Sequence, residues 1–166
     1  EAERLVDAAR TYGLRAAIVR FPNVFGSIHD HEDRVVPAFA RAAALGRPLT
    51  VNGWDHNFDF TPLEDTVAGV IALLHLLDGE TGALPPIHLL TGRPTTLGEL
   101  ATLAVAIGGT DAPIHQGPER SYDVGRFVGD PSRAASILGW RATTPIRDVL
   151  ARMIAGYRTQ PAAIAG

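Results

Sequence analysis

Short apolar runs alternate along the chain with longer segments in which apolar residues recur every three or four positions. The run at residues 15–20 is β-branched at Ile18 and Val19 and apolar on both faces, which predicts a buried parallel strand. The runs at residues 49–51 and 87–90 predict two more short strands. Strands that alternate with helices indicate an α/β fold with right-handed crossovers.

The longer segments predict helices, because their apolar residues fall on one face and helix-ending residues follow them. Gly13 and Gly46 suit the left-handed conformation that ends a helix. The first helix carries an apolar face of Leu5, Ala8, Ala9 and Tyr12. The predicted helices cover residues 1–12, 35–45 and 131–138, and three others begin near residues 62, 97 and 145.

Two of these helices carry the same start signal. Thr61-Pro62-Leu63-Glu64 and Thr96-Leu97-Gly98-Glu99 both match a capping box, in which the Thr and Glu side chains each satisfy a free backbone amide. Helical spacing after Thr61 predicts a buried face made of Leu63, Val67, Val70, Ile71 and Leu74. Spacing after Thr96 predicts a buried face made of Leu97, Leu100, Ala104 and Ile107.

The end of the first predicted strand carries candidate chemistry. Pro22 cannot donate to a strand ladder and holds Phe21 extended, so we expect the strand to end there. Asn23 and Gly26 then predict a turn. Ligands of open α/β sheets bind beyond the carboxyl ends of strands, so Asn23 is placed to contact one. Taken alone, Asn23 favours a turn residue that satisfies its own backbone over a ligand contact.

Composition and charge narrow the function classes. The 166 residues carry a formal charge of −3, with no basic stripe and no acidic tail, so we expect no nucleic-acid and no membrane partner. The absence of cysteine excludes a disulfide framework and a thiolate metal site. His29 and His31 lie near carboxylates, but their spacing favours a solvated loop over a metal site. Nothing resembles a signal peptide or a spanning segment, so a cytoplasmic protein is expected.

The segment Arg20-Phe21-Pro22-Asn23-Val24-Phe25-Gly26 resembles the Arg-x-x-Asn-Val-Tyr-Gly-Pro motif of the extended short-chain dehydrogenase/reductase family, the NAD-dependent sugar-nucleotide epimerases and dehydratases. Further segments are similar to that family in order and spacing: Val35-Val36-Pro37 with Gly46-Arg47-Pro48-Leu49, Asp59-Phe60 with Asp65, Thr96-Leu97-Gly98-Glu99-Leu100, and Asp130-Pro131-Ser132-Arg133 with Leu138-Gly139-Trp140. No single segment is specific for this family, but the occurrence of all of them in this order over nearly the whole chain is specific.

The resemblance implies a fold and a place within it. The chain would be the C-terminal part of a Rossmann-like α/β fold, in which residues 1–166 form a single unit of parallel strands and a helical substrate-binding subdomain. The family's Gly-rich dinucleotide fingerprint and its catalytic Tyr-x-x-x-Lys both precede the matching region. No catalytic residue is therefore assigned within this chain, and the NAD cofactor would be bound mainly by a portion that it does not contain.

The resemblance also implies binding residues. Asn23, Arg120, Asp123 and Val36 would contact a nucleotide-sugar substrate, with Arg120 on a phosphate and Asp123 on a ribose. Phe21 and Pro22 would border NAD. Arg120 and Asp123 equally suit a solvated loop, because the forked donors of Arg fit phosphate without requiring it.

Two departures from the family pattern concern the substrate. Phe58 occupies the position where many family members carry a phosphate-binding Arg, and a phenyl ring cannot neutralise a phosphate. Asn52 occupies a position where an aromatic residue often packs on the nucleotide base. The sequence therefore does not identify the base.

Two functions follow from these observations. The chain is either the substrate-binding half of an NAD-dependent sugar-nucleotide epimerase or dehydratase, or a truncated, non-catalytic ligand-binding or dimerisation module of the same fold. In both cases we expect the strand edge at residues 16–21 to be covered, either by a second copy in a homodimer or by the missing N-terminal half.

Overall fold

The structure is a computed structural model that describes residues 1–79, 83–119 and 124–160. Its helices are α1 (Ala2–Arg10), α2 (Val35–Leu45), α3 (Leu63–Asp78), α4 (Leu97–Gly108), α5 (Ser132–Leu138) and α6 (Ile146–Thr159). Its strands are β1 (Val19–Arg20), β2 (Asn23–Phe25), β3 (Leu49–Asn52), β4 (Asn57–Pro62), β5 (Ile87–His88), β6 (Pro94–Thr96), β7 (Ile114–Gly117) and β8 (Arg126–Phe127). No helix in these residues is long and apolar enough to cross a bilayer.

Parallel pairing dominates the strands. The parallel pairs are β1 with β5, β2 with β4, β3 with β7, and β4 with β8. The antiparallel pair is β4 with β6. The parallel strand predicted at 15–20 is therefore confirmed, although only Val19 and Arg20 have strand geometry and only Ile18 next to them is buried.

Two apolar clusters hold these elements together. The larger packs α2, α4 and α6 over β3 and β4, and its buried side chains include Phe39, Val51, Leu100 and Tyr157. The smaller packs α3 and α5 against β5, with Leu73, Ile87, Leu89, Ala134 and Trp140 at its centre. Both lie on a helical face set against strands, as expected when helices cover a parallel sheet.

The starts and ends of α2 and α4 follow local rules. Gly46 and Gly109 take left-handed conformations, with φ of 64° and 59°, immediately after the last helical residue. The capping box at Thr96 is confirmed, because the Glu99 amide donates to the Thr96 hydroxyl at 3.1 Å and the Thr96 amide donates to the Glu99 carboxylate at 2.8 Å. The predicted buried face of this helix is also confirmed, with Leu97, Leu100 and Ala104 buried.

The capping box predicted at Thr61 is wrong. Thr61 is fully buried within β4, and its hydroxyl donates to the Asp59 carboxylate at 2.9 Å. The N-cap of α3 is Pro62, without a side-chain capping bond, while Glu64 pairs with Arg152 of α6. Tertiary pairing of β4 therefore overrides the local capping pattern.

The buried face predicted for α3 is also wrong. Its buried residues are Asp65, Thr66, Gly69 and Leu73. Asp65 is held there because its carboxylate accepts the backbone amides of Thr143 and Thr144, at 3.2 and 2.9 Å. Four of the five residues predicted to be buried are exposed instead. Their exposed fractions are 42% for Leu63, 48% for Val67, 48% for Ile71 and 56% for Leu74. We call these four residues the α3 stripe.

The turn predicted at Asn23 is replaced by a strand. Asn23 begins β2 and lies in parallel register with Phe60 of β4. The sequence also predicts no strand at residues 57–62, where the structure has β4, which pairs with β2, β6 and β8. Both errors have one cause, since β2 and β4 form only through their pairing with each other and with distant strands.

The helix α1 is attached mainly by polar contacts. The Arg20 guanidinium donates two hydrogen bonds to the Glu3 carboxylate, at 2.8 and 2.7 Å, and these bonds lower the Glu3 pKa and raise that of Arg20. Arg10 donates to the carbonyl of Ala16. None of the α1 residues is buried, and Leu5 and Tyr12 are exposed. The first predicted helix is confirmed, and its apolar face is open.

Candidate functional site

A cavity of about 380 Å³ lies where the chain leaves β1 and enters β2. Its walls come from β2, the turn that precedes α2, the first turn of α2, and Phe60 of β4. The lining residues are Pro22, Asn23, Val24, Phe25, Asp30, Arg34, Val35, Val36, Pro37 and Phe60. Seven of the ten residues are apolar by type, and Asn23, Asp30 and Arg34 add polar and charged side chains, a combination found in small-molecule sites.

Two further cavities adjoin this one. A cavity of about 330 Å³ shares Val24, Phe25, Asp30 and Arg34 with it and extends towards Leu63. A third, of about 240 Å³, shares Val35 and is lined by the polar groups of Asp33, Thr50 and Asn52 among apolar residues. The three cavities follow one another around the start of α2.

Asp59 fixes the β4 wall of the site. Its carboxylate is fully buried and accepts hydrogen bonds from the Thr61 and Thr91 hydroxyls, both at 2.9 Å. It also accepts the backbone amides of Thr91, at 3.1 Å, and Gly92, at 2.7 Å. A buried carboxylate with this many donors ties the strand that carries Phe60 to the turn after β5.

The structure brings three of the predicted site residues together. Pro22, Asn23 and Val36 all line the 380 Å³ cavity, with Asn23 exposed and Val36 buried. Val36 lies in the first turn of α2, so what it can offer a ligand is chiefly its backbone. Phe21 does not line this cavity, and its ring is 46% exposed beyond β1. Arg120 and Asp123 lie outside the described residues.

Phe58 packs inside the fold and does not line the cavity. Its ring meets those of Phe60 and His56 edge-on, with centroids 6.2 and 6.4 Å apart, and it contacts the larger apolar cluster. Phe58 also pairs with Phe127 of β8. The position thus contributes packing behind the wall that Phe60 forms.

Seven residues that line the cavity are not among the predicted site residues, and three of them bear on its chemistry: Asp30, Arg34 and Phe60. Asp30 and Arg34 lie in or beside the segment for which the sequence predicts a solvated loop, and Phe60 belongs to a family motif for which no contact is predicted. Arg34 is the residue immediately before α2. A cation at a helix start that follows a candidate site is a signal that could have singled it out.

The pKa shifts elsewhere in the molecule have structural causes. Backbone and side-chain hydrogen bonds from Ser132 lower the pKa of Asp130 at the start of α5. Burial in the larger cluster raises the pKa of Tyr157.

A separate cavity of about 290 Å³ lies between the ends of α1 and α3, where Arg10 and Arg15 already donate to backbone carbonyls. Arg10 and Arg15 therefore connect α1 and the segment after it to their neighbours, and the described part of the structure gives them no ligand-binding role.

The model of the family described as NAD dependent epimerase/dehydratase matches residues 1–83, which is half of the chain. The chain belongs to this family. The family expectation drawn from the motifs is thereby confirmed. The part of the chain that carries Pro22, Asn23 and Val36 lies within the matched residues.

Individual relatives in the family match over most of this chain but only part of their own length. UDP-glucuronic acid decarboxylase 1 of Danio rerio is 28% identical over 144 residues, which cover 86% of this chain and 33% of that protein. The solved UDP-glucose 4-epimerase of Thermotoga maritima, in a structure with UDP-glucose, is 26% identical. It superposes with a TM-score of 0.84 over 96% of this chain and 51% of its own.

A structure of MoeE5 in complex with UDP-glucose and NAD is a further family match. It is 25% identical, with a TM-score of 0.75, and the match covers 87% of this chain and 47% of that one. These superpositions confirm the expected α/β fold with parallel strands. The chain spans about half the length of each of these two proteins.

Proposed function

We propose that this chain is the C-terminal, substrate-binding half of an NAD-dependent enzyme that acts on a nucleotide sugar, as an epimerase, a dehydratase or a decarboxylase. The observation that carries the proposal is the 380 Å³ cavity with Asn23 on its wall, in a chain of the NAD dependent epimerase/dehydratase family. The relatives that bind UDP-glucose support a uridine nucleotide as the first substrate to test.

Within this proposal each wall of the cavity has a task. The Asn23 amide offers both a donor and an acceptor to sugar or phosphate oxygens. Pro22, Val24 and Phe60 exclude water around the neutral part of the ligand. Asp59 keeps Phe60 in position through the hydrogen bonds described above. Arg120 and Asp123, outside the described residues, remain proposed contacts to phosphate and ribose.

Phe21 and Pro22, the residues expected to border NAD, do not by themselves suffice to hold it. Phe21 and Pro22 offer apolar rings beside the cavity, but neither side chain provides a donor for a pyrophosphate. When bound, NAD supplies the reversible removal of a hydride from the sugar. We propose that NAD is held mainly by the complementary half, which also supplies the catalytic Tyr and Lys.

The same proposal accounts for the open apolar surfaces. In the described part of the chain β1 pairs with β5 alone, so its other edge is free, and the α3 stripe is exposed. A free strand edge and an apolar helix face are features that folded proteins normally cover. We propose that the N-terminal half covers both, and that two copies associate through α1 in the complete enzyme.

The substrate proposal predicts two losses of affinity. Asn23→Ala should weaken UDP-glucose binding about threefold to tenfold, the worth of a neutral hydrogen bond. Arg120→Ala should weaken it roughly tenfold to a hundredfold, because a charge-assisted contact to phosphate is lost. Calorimetric titration of UDP-glucose into the chain and its variants measures both.

Exposed residues away from the cavity provide the controls for this titration. Gln116→Ala and Arg141→Ala match the two changes in chemistry and should leave affinity unchanged. The substrate proposal fails if UDP-glucose does not bind the unaltered chain. The assignment of Asn23 and Arg120 fails if their variants bind as tightly as the controls.

A further inference from the structure

Arg34 stands where two of the cavities meet. It lines both the 380 Å³ and the 330 Å³ cavity, and it is the residue immediately before α2. Its backbone is fixed on both sides, because its amide donates to the His31 carbonyl at 3.1 Å and its carbonyl accepts the Ala38 amide at 2.9 Å. The guanidinium therefore extends from an anchored point into a defined space.

The guanidinium of Arg34 forms only a weak ion pair within the protein. Its Nε lies 3.6 Å from the Asp30 carboxylate, beyond hydrogen-bond distance, and its side chain is 59% exposed. Exposed ion pairs of this kind contribute little. Arg41, on the next turns of α2, is by contrast paired with Glu32. Among the described residues that line the two cavities, Arg34 is thus the arginine available to a ligand.

The groups around Arg34 suit one ligand chemistry. An arginine presents planar, forked donors that match phosphate oxygens. Asn23 lies on the same cavity wall with a neutral amide, and Phe60 and Pro22 add apolar surface. Asp30 adds a negative charge that opposes an anion, so the site is selective for a ligand that can replace Asp30 at the guanidinium.

We propose that Arg34 is the anchor for the diphosphate group of the ligand. This inference rests on the proposed function and adds a residue that fixes substrate class. It also places a cation at the cavity, where the phenyl ring of Phe58 cannot provide one. Because the pairing of Asp30 with Arg34 is weak, a ligand phosphate can displace Asp30 at the guanidinium.

The test compares a ligand with phosphates and one without them. UDP and uridine are titrated calorimetrically into the chain, Arg34→Gln and Arg47→Gln. Arg47 is a matched control because it follows the other end of α2, about 17 Å away by helical rise. Arg34→Gln should weaken UDP binding about tenfold to a hundredfold and leave uridine binding unchanged, whereas Arg47→Gln should change neither.

A second variant probes the proposed exchange of partners. Asp30→Asn should tighten UDP binding, because it removes both a competitor for Arg34 and a repulsive charge, and it should not affect uridine. Thermal unfolding of Arg34→Gln should stay close to that of the unaltered chain, since the lost ion pair is exposed. This comparison separates a binding effect from a folding defect.

The outcomes distinguish the inference from the function on which it rests. If UDP binds the unaltered chain and Arg34→Gln equally well, Arg34 is not the anchor, and the proposed function survives. If Arg34→Gln loses uridine as strongly as UDP, its role is structural and the inference is overturned. If the unaltered chain binds neither probe, the proposed function fails and the inference fails with it.

Discussion

Asp59→Ala should lower the free energy of unfolding by about 3 kcal/mol or more, and the melting temperature by roughly 6 to 12 °C in a chain of this size. The Asp59 carboxylate is fully buried and accepts hydrogen bonds from two hydroxyls and two backbone amides. Alanine leaves those donors without an acceptor inside the protein, where they cannot regain water. The cost of unpaired buried groups is what makes this effect large.

Thermal unfolding followed by circular dichroism measures the Asp59 effect. Asp59→Asn should show an intermediate loss, because its amide keeps one acceptor oxygen but turns an NH₂ group towards donors. Asp55→Ala removes an exposed carboxylate from the turn before β4 and should change stability by no more than about 0.5 kcal/mol. An Asp59→Ala variant that melts within about 2 °C of the unaltered chain would contradict the structural role of this carboxylate.

Placing Glu at both Val67 and Ile71 should weaken self-association of the isolated chain roughly a hundredfold. The α3 stripe exposes four large apolar side chains on one side of the helix, and we expect copies of the chain to cover it when no complementary half is present. Val67 and Ile71 are each 48% exposed, so covering the exposed part of each contributes about 0.75 kcal/mol or more. Two copies that cover one another lose four such contributions, about 3 kcal/mol. The introduced carboxylates add a desolvation cost.

Sedimentation velocity over a range of concentrations measures this association. The control is Thr102→Glu with Ala106→Glu, which adds the same two side chains with the same spacing at exposed positions of α4. The control should associate as the unaltered chain does. A monomeric unaltered chain at high concentration, or a control that dissociates as fully as the stripe variant, would refute the account of this surface.

The sequence correctly predicted those helix starts and ends that depend only on residues within one helical turn. Thr96 and Glu99 satisfy each other's amides, and Gly46 and Gly109 end α2 and α4 through backbone geometry that the residues themselves favour. Such signals are complete within a few residues. They hold because nothing elsewhere in the fold competes for the same groups.

The same signals failed where distant residues compete. Thr61 carries the same capping pattern as Thr96. Its hydroxyl instead donates to the Asp59 carboxylate, and its backbone pairs with β2 as part of β4. The α3 stripe has a helical period typical of a buried face, yet the polar Asp65 faces inward to meet the amides of Thr143 and Thr144. Neither partner can be inferred from residues nearby in the chain.

The residues of the candidate site also fall into a group that the sequence predicted and a group that it did not. The family resemblance implied that Asn23 and Val36 contact the substrate and that Pro22 borders NAD, and all three line one cavity. Arg34 lies outside the family motifs, and its place in the cavity depends on how the chain folds back from β2 to the start of α2. Resemblance identifies the residues of the motifs, whereas geometry is needed for the side chains between them.

The most direct test of the proposed function is an amide chemical-shift titration of the ¹⁵N-labelled chain with UDP-glucose and, separately, with NAD. The account predicts that UDP-glucose shifts the amides of Asn23, Arg34 and Val36 around the cavity and leaves those of α5 unchanged. It predicts no saturable shifts with NAD at micromolar concentrations. Shifts confined to other surfaces, no response to UDP-glucose, or micromolar saturation by NAD would contradict the assignment of this chain as the substrate-binding half.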